Sequence, residues 1–199
     1  FMKIALFTGG PSLERGISLN SARSFMDHLI SDDIEIIPIF FDQKKRPYQI
    51  SCAELYSNNP SDFDFKLAQN LSPLSLNSLI KILKSVDIVM PAMHGPFGED
   101  GQIQAFLEKN KIPFIGSGSK ACKMAFDKFK ANEYIRTLGF YAPPSIVLKI
   151  TDSKKEIEEK VNKFWKDEKI TRAVVKPASG GSSIGVFSVE DPSNAIESV

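Results

Sequence analysis

The chain has 199 residues, with 25 Lys and Arg against 24 Asp and Glu for a formal net charge of +1, and 42% of its positions are hydrophobic. That length holds one domain or two small ones, each with a real core, and the composition excludes collagen, coiled coil and wholesale disorder. Without basic tracts there is no electrostatic footprint for nucleic acid or for an anionic membrane surface. Cys52 and Cys122, with only His28 and His94 as imidazoles, build neither a disulfide framework nor a zinc site. No apolar run reaches the roughly 18 residues of a membrane span, and the run Lys3 to Phe7 is too short for a signal-peptide core, so a cytoplasmic protein is expected. Phe1 ahead of Met2 is set aside as foreign to a natural start.

Lys3 to Phe7, ending at Thr8-Gly9-Gly10-Pro11, predicts a buried strand stopped by a turn. Ser18 reads as the N-cap of a helix whose apolar face carries Leu19, Ala22, Met26, Leu29 and Ile30. Ile34 to Phe41 is a second apolar run, so the opening is a βαβ unit with parallel strands and a right-handed crossover. Residues 42–78, rich in Asn, Ser, Asp, Pro and Lys, read as an irregular surface insertion, with a short helix near Leu74 to Leu83. A third strand is expected at Val86 to Met90, a helix at Gln102 to Lys109 with Ile103, Phe106 and Leu107 on one face, and a fourth strand at Ile112 to Gly116. The first lobe is expected to end near Gly118.

Beyond it the pattern predicts one long helix from Lys120 to Leu138, stopped by Gly139 and by Pro143-Pro144. A strand is expected at Ser145 to Ile150 and a charged helix at Asp152 to Trp165. Ala173 to Lys176 and Val186 to Val189 flank a Gly/Ser loop too short for a parallel crossover, which makes them an antiparallel hairpin. A new helix begins near Asp191-Pro192, and a domain cut at Val199 is expected to be incomplete.

Three loops could hold chemistry. The first, Gly9 to Ser18, lies outside the carboxyl end of a parallel strand, where ligands collect. Its glycines permit close backbone approach, the helix N-terminus offers N–H groups to an anion, and Glu14 could receive an ammonium. A glycine turn with a solvated Glu14-Arg15 pair fits the same residues, and the dinucleotide fingerprint GxGxxG is absent. In the second, His94 to Gly101, the histidine could donate to a carboxylate or serve structure alone, while Glu99 and Asp100 suit a helix start. In the third, Lys176 to Gly185, small residues could fold onto phosphate oxygens beside a lysine, or form a flexible linker. It is not a Walker loop, because the Gly-Lys-Ser/Thr ending is missing.

Five ordered segments carry a resemblance to the amino-terminal part of the D-alanine-D-alanine ligases of the ATP-grasp superfamily. They are Gly9-Gly10 with Ser12, Glu14-Arg15 and Ile17-Ser18-Leu19; His94-Gly95 with Gly98-Glu99-Asp100-Gly101; Gly116-Ser117-Gly118; Asp127-Lys128; and Val175-Lys176-Pro177 with Gly181-Ser182-Ser183-Ile184-Gly185. The match covers nearly all of the chain except residues 42–78. It implies an α/β protein: a parallel-sheet pre-ATP-grasp (Rossmann-like) domain over residues 2–118, which binds substrate, followed over 119–199 by the first part of an α+β ATP-grasp domain with an antiparallel hairpin.

Residue by residue, the resemblance implies that Glu14 holds the ammonium of the first D-alanine, with Ile17 and His94 also in that substrate site and His94 near the carboxylate. It implies that Lys128 and Lys176 contact the phosphates of ATP. Ser182 would be a catalytic serine in a hydrogen-bond network with Glu14, and Gly181, Ser182 and Ser183 would cover the nucleotide. The implied reaction joins two D-alanines through a D-alanyl phosphate, for peptidoglycan precursors. D-alanine, ATP and magnesium are the implied small-molecule partners.

Two departures stand out: the family's second acidic position is here Gly16, and a third lobe with the metal ligands is absent. No residue of this chain is therefore assigned to metal, and the chain alone is expected to turn over little or not at all. The apolar face such a lobe would cover predicts self-association, in the simplest case a homodimer. Other carboxylate-amine or carboxylate-thiol ligases, a D-alanine-D-lactate ligase and a non-catalytic nucleotide-binding module remain as alternatives; an NAD-dependent oxidoreductase lacks its fingerprint.

Overall fold

Strand β1, Met2–Gly9, and strand β2, Ile34–Phe41, pair in parallel from Met2 opposite Ile34 to Gly9 opposite Phe41. Both faces of such strands are covered, so continuous apolar runs rather than alternation encode them. Between them runs α1, Arg15–Leu29. It starts three residues before the Ser18 expected as its N-cap. The Ser12 hydroxyl accepts the Glu14 N–H at 3.0 Å and closes the preceding turn, and Ser18 already donates its N–H to the Glu14 carbonyl as a residue inside the helix. The computed structural model describes residues 1–29, 31–70 and 72–199, with the side chains of Ala68 and Asn70 set aside; Ile30, expected on the apolar face of α1, lies outside the described residues.

The expected irregular insertion is largely ordered and enters the core. It holds β3, Pro47–Gln49, antiparallel to β2, followed by α2, Cys52–Ser57, and α3, Pro60–Asn70. Ser51 and Glu54 form a reciprocal capping box at the start of α2. Asn59 and Asp62 exchange two hydrogen bonds at the start of α3. Tyr48, Ile50, Leu55, Phe63 and Leu67 pack with Leu6, Leu19, Ala22, Met26 and Phe40 on one face of the sheet, and the Phe63 ring stacks on Phe40 with centroids 4.3 Å apart.

Helix α4, Leu76–Leu83, precedes β4, Ile88–Pro91, which pairs in parallel with β1 and gives the sheet order β3-β2-β1-β4. Helix α5, Gln102–Lys109, has the expected bounds. The expected fourth strand reduces to one rung, with Phe114 bridging Val89 and the Ile115 N–H donating to the Val89 carbonyl; Pro113 has no N–H to continue the ladder. The second face of the sheet buries Ala5, Phe7, Ile39, Phe41 and Val89 against Leu79, Leu83, Ile103, Leu107 and Ile112. Successive residues of β1 thus serve opposite cores, as the pleat requires.

The long helix expected from Lys120 to Leu138 is two helices, α6, Ser119–Phe126, and α7, Lys128–Thr137. Asp127 interrupts them in an extended conformation: its side chain accepts the Lys130 N–H as an N-cap, and its backbone bridges Ser179. Gly139, at φ +83, terminates α7 as expected. Among the described residues no strand covers 145–150, because no ladder partner lies beside it; Leu148 packs inward while Ile150 is fully exposed. Helix α8, Lys154–Asp167, carries a second capping box, Ser153 with Glu156. Strands β5, Ala173–Val175, and β6, Phe187–Val189, form the antiparallel hairpin, and α9, Pro192–Glu197, is capped by Asp191. The chain divides into two units, Phe1–Met124 and Ala125–Val199.

Candidate functional site

In the first unit, the parallel pairing of β1 and β4 puts the loops after Gly9 and after Pro91 at the same edge of the sheet. The Gly10 N–H donates to the Phe41 carbonyl at 2.7 Å, and the left-handed backbone at Gly9, φ +80, lets the chain turn there without a side chain. A methyl group on Gly9 would fall 2.5 Å from the Phe41 carbonyl oxygen. Beyond this turn Glu14 is buried, 8% exposed, at the base of α1.

The second loop closes over it. Gly95, also left-handed at φ +75, lies so near that an added methyl would meet Ser12 Oγ at 2.2 Å and Glu14 Oε2 at 2.6 Å. Glycine is therefore required there by close approach as well as by conformation. His94 is held from α1 at two points: its N–H donates to Ser18 Oγ at 2.9 Å, and Nε2 lies 2.8 Å from Ser21 Oγ. Ser18 Oγ donates in turn to the Glu14 carbonyl at 3.3 Å. On the other side of the ring, Glu99 accepts the Gly95 N–H at 2.6 Å and faces His94 Nδ1 at 3.8 Å. Asp100 accepts the N–H groups of Phe97 and Gln102, which is the helix-start role expected of it.

Glu14 and His94 thus belong to one cluster, and Ile17, in the first turn of α1, is 46% exposed close to them in sequence. Ser18, expected as an N-cap, and Ser21, for which no role is expected, both join the site. The signal for them was present: they stand at i and i+3 on the helix that follows Glu14. A further unforeseen support is Arg15, whose guanidinium makes a two-pronged pair with Asp64 of α3 at 2.8 and 2.5 Å, while Gln43 donates to the same carboxylate at 3.2 Å. The Asp64 hydrogen bond and charge hold the Arg15 pKa above its ordinary value, against a lowering by burial.

In the second unit Lys128 is the first residue of α7. Its N–H donates to the Ala178 carbonyl at 2.8 Å and its Nζ to the Gly180 carbonyl at 2.6 Å, so the cation is moored beside the hairpin loop. Ser182 and Ser183 both adopt left-handed backbone, φ +52 and +56, with Gly180 and Gly185 at φ +139 and +69. The Ile184 N–H donates to the Gly181 carbonyl and the Val186 N–H to that of Ser183, closing the tip. Lys176 is exposed immediately after β5. A lysine, two hydroxyls and a tight run of backbone N–H groups are the donor set that suits phosphate oxygens.

Among the described residues no three His, Cys, Asp or Glu side chains group as metal ligands. Nor is any described helix long and apolar enough to cross a membrane.

A family profile described as D-ala D-ala ligase N-terminus matches residues 3–117. A D-alanine--D-alanine ligase of Corynebacterium aurimucosum is 30% identical over 197 residues, a match covering 94% of this chain and 53% of that protein. The structure of the D-alanine-D-alanine ligase from Coxiella burnetii superimposes with a TM-score of 0.81 at 25% identity, over all of this chain and 60% of the other. That of the VanG D-Ala:D-Ser ligase from Enterococcus faecalis gives 0.76 at 27% identity, over 99% of this chain and 59% of the other. The chain spans about half the length of the curated relatives it matches. The profile match takes in more than half of the 199 residues and both loops of the first-unit cluster, and on that ground the chain belongs to the family of the D-ala D-ala ligase N-terminus.

Proposed function

We propose that this chain supplies the first D-alanine site and part of the ATP-phosphate site of an ATP-dependent D-alanine-D-alanine ligase acting in peptidoglycan precursor synthesis in the cytoplasm. The observation that carries this is the cluster at the edge of the first sheet. A buried carboxylate, Glu14, and an anchored imidazole, His94, lie on two loops brought together by Gly95. An amino acid offers an ammonium and a carboxylate, and this cluster offers an acceptor for the one and a donor for the other. Ile17 supplies apolar surface for a small side chain.

The chemistry runs in two steps. A D-alanine carboxylate oxygen attacks the γ-phosphorus of ATP, the bond to the β-phosphate oxygen breaks, and ADP leaves. The amine of a second D-alanine then attacks the acyl carbon of D-alanyl phosphate, loses a proton and expels inorganic phosphate. Such transfers depend on positioning and on neutralising oxygen charge. Glu14 fixes the ammonium of the first D-alanine, and His94 meets the carboxylate. Lys128 and Lys176 bring positive charge to the phosphates, while the loop of Gly181, Ser182 and Ser183 donates N–H and O–H groups over the nucleotide. Magnesium would neutralise phosphate charge in such a ligase, and the described residues group no ligand set for it.

Relatives acting on D-Ala plus D-Ala and on D-Ala plus D-Ser share this same portion of structure, which supports assigning to it the D-alanine common to both. The test is an NMR titration of the chain with D-alanine and, separately, with ATP. D-alanine is expected to perturb residues around Glu14 and His94, L-alanine far less, and Glu14→Gln is expected to abolish the effect. ATP is expected to perturb residues 180–185, and the double replacement of Lys128 and Lys176 by Ala to weaken it. A chain indifferent to both ligands, or one that binds L-alanine equally well, overturns the proposal.

A further inference from the structure

The geometry points to Glu99 and Ser21 as a pair of positioning residues for His94: the Glu99 carboxylate selects the neutral imidazole with its proton on Nδ1, and the Ser21 hydroxyl donates to the Nε2 lone pair that this leaves. The significance of this for D-alanine rests on the function proposed above; the assignment of the proton does not.

His94 meets two different partners across its ring. At Nε2 stands Ser21 Oγ, 2.8 Å away; at Nδ1 stands Glu99 Oε1, 3.8 Å away. A hydroxyl can donate or accept, whereas an ionised carboxylate only accepts. A neutral imidazole has one N–H to place. On Nε2 it would leave the Nδ1 lone pair opposite the Glu99 carboxylate, two acceptors face to face. On Nδ1 it directs positive hydrogen towards that carboxylate and leaves Nε2 to accept from Ser21. Only the second arrangement satisfies both neighbours: the carboxylate selects it, and the serine, able to donate or accept, donates.

Both neighbours are themselves held. Ser21 follows Ser18 by one turn of α1, so the same helix that takes the His94 backbone N–H also takes its ring. Glu99 keeps its place through its other oxygen, which accepts the Gly95 N–H. The His94 side chain remains 35% exposed, so a ligand can reach it. The ring's one N–H is therefore held on the Nδ1 edge beside Glu99, and Ser21, which itself need not touch the substrate, holds the opposite edge.

The proton is read directly on the 199-residue chain by long-range proton-nitrogen NMR of labelled histidine, at about pH 8, above the ordinary histidine range. His28, whose Nδ1 bonds the Ser24 carbonyl, is replaced by Gln so that one ring remains. The expected spectrum shows a protonated Nδ1 and an unprotonated Nε2. Glu99→Gln, which can donate to Nδ1, should move the ring towards the Nε2–H form that unconstrained histidine favours, whereas Ser21→Ala should keep the proton on Nδ1 and shift only the Nε2 resonance, which Ser21→Thr should restore. D-alanine should bind Ser21→Ala roughly three- to tenfold more weakly, the worth of one ordinary hydrogen bond.

A parent protein with its proton on Nε2 overturns the assignment, even if the alanine variant fails to fold. So does a folded Glu99→Gln that keeps Nδ1–H, or a folded Ser21→Ala whose Nε2 resonance stays where it was. If the ring responds as expected while D-alanine binds none of these proteins, Glu99 and Ser21 are confirmed as the residues that orient His94, and the proposed function fails separately.

Discussion

The two units bury their apolar residues very differently. In the first, a four-stranded sheet is covered on both sides, and each side has its own cluster of about a dozen buried residues, from Ala5 and Phe7 on one face to Leu6 and Phe40 on the other. In the second, a two-stranded hairpin packs on α8 and α9 around a cluster whose buried members, among the described residues, are Val161, Val189 and Ala195, with half-buried neighbours such as Ile157 and Trp165, while Phe140, Tyr141, Val174 and Phe187 are exposed. Stability follows apolar area withdrawn from water, so the first unit holds its loops on a firm base, and the second depends far more on caps and hydrogen bonds at its helix ends. The units also carry different optical reporters. The single tryptophan, Trp165, lies in α8 and packs on the small cluster.

The largest expected effect comes from Phe7→Ala. Phe7 is fully buried and meets Phe41 edge-on with centroids 5.0 Å apart, and truncating such a ring costs about 3–5 kcal/mol. Urea unfolding followed by far-ultraviolet circular dichroism should show the loss, with Trp165 fluorescence much less affected. Val161→Ala removes only about 1.5 kcal/mol of burial, and it should shift the Trp165 transition rather than the bulk one. In the unaltered chain the Trp165 transition is expected at lower urea than the bulk circular dichroism change, a departure from two-state behaviour. Coincident transitions for the two probes would erase the contrast between the units.

Gly95→Ala sharpens the comparison within the first unit, because it strikes the site and leaves both cores intact. The new methyl would overlap Ser12 Oγ and Glu14 Oε2 at a positive φ. A cost of about 1–3 kcal/mol is expected from backbone strain alone, together with loss of D-alanine binding. Binding at the original affinity would show that the two loops need not stay in contact.

What was legible in the sequence follows the same division between core and detail. Strands β1 and β2 are apolar runs from Ile4 to Phe7 and from Ile36 to Phe41, ended by a glycine turn or a charged loop, and α5 has a full turn of apolar spacing between Gly101 and Asn110, so local pattern and tertiary burial agree. Residues 42–78 failed because their elements are short and polar on the outside. Tyr48, Leu55, Phe63 and Leu67 follow no single period, and only the open face of α1 and β2 makes them core. The break at Asp127 was equally hidden. The helical periodicity runs through it, and the interruption depends on a bridge to Ser179, more than fifty residues away. In the site, Glu14 and His94 could be picked out as ionisable residues on glycine loops. The serines that hold His94 share one face of α1 at i and i+3, a pattern that is visible in the sequence but does not name the histidine they meet.

A smaller effect is expected from Ser153→Ala in the second unit. Ser153 caps α8 and exchanges hydrogen bonds with Glu156. Its loss should cost about 1 kcal/mol, read as a lower urea midpoint for Trp165 with the bulk transition unmoved. The equivalent Ser51→Ala at α2 should be harder to detect in the bulk transition, because the first unit has a deep core to absorb it. Equal sensitivity at the two caps would argue that the second unit is as well buried as the first.

The smallest effect is the dependence on acid, and its sign separates the units once more. In the second unit three carboxyls lie below their ordinary values. Asp127 is lowered first by its hydrogen bonds from Lys130, Asp152 by the Lys149 N–H and then Lys160, and Glu156 by the Ser153 hydroxyl and N–H. In the first unit, among the described residues, only Glu108 is lowered, by Ser119. A carboxyl whose pKa falls on folding stabilises the folded form above its unfolded value, and that contribution disappears as the pH drops through the folded value. The Trp165 midpoint should therefore hold steady down to the ordinary values of 4.5 for Glu and 3.8 for Asp and decline below them, ahead of the bulk signal. All these groups sit near the surface, so the change is modest and salt should reduce the lysine-dependent part. The Glu156 part should resist salt, because neutral donors create it, and a decline that salt removes completely would assign the acid sensitivity to the ion pairs alone.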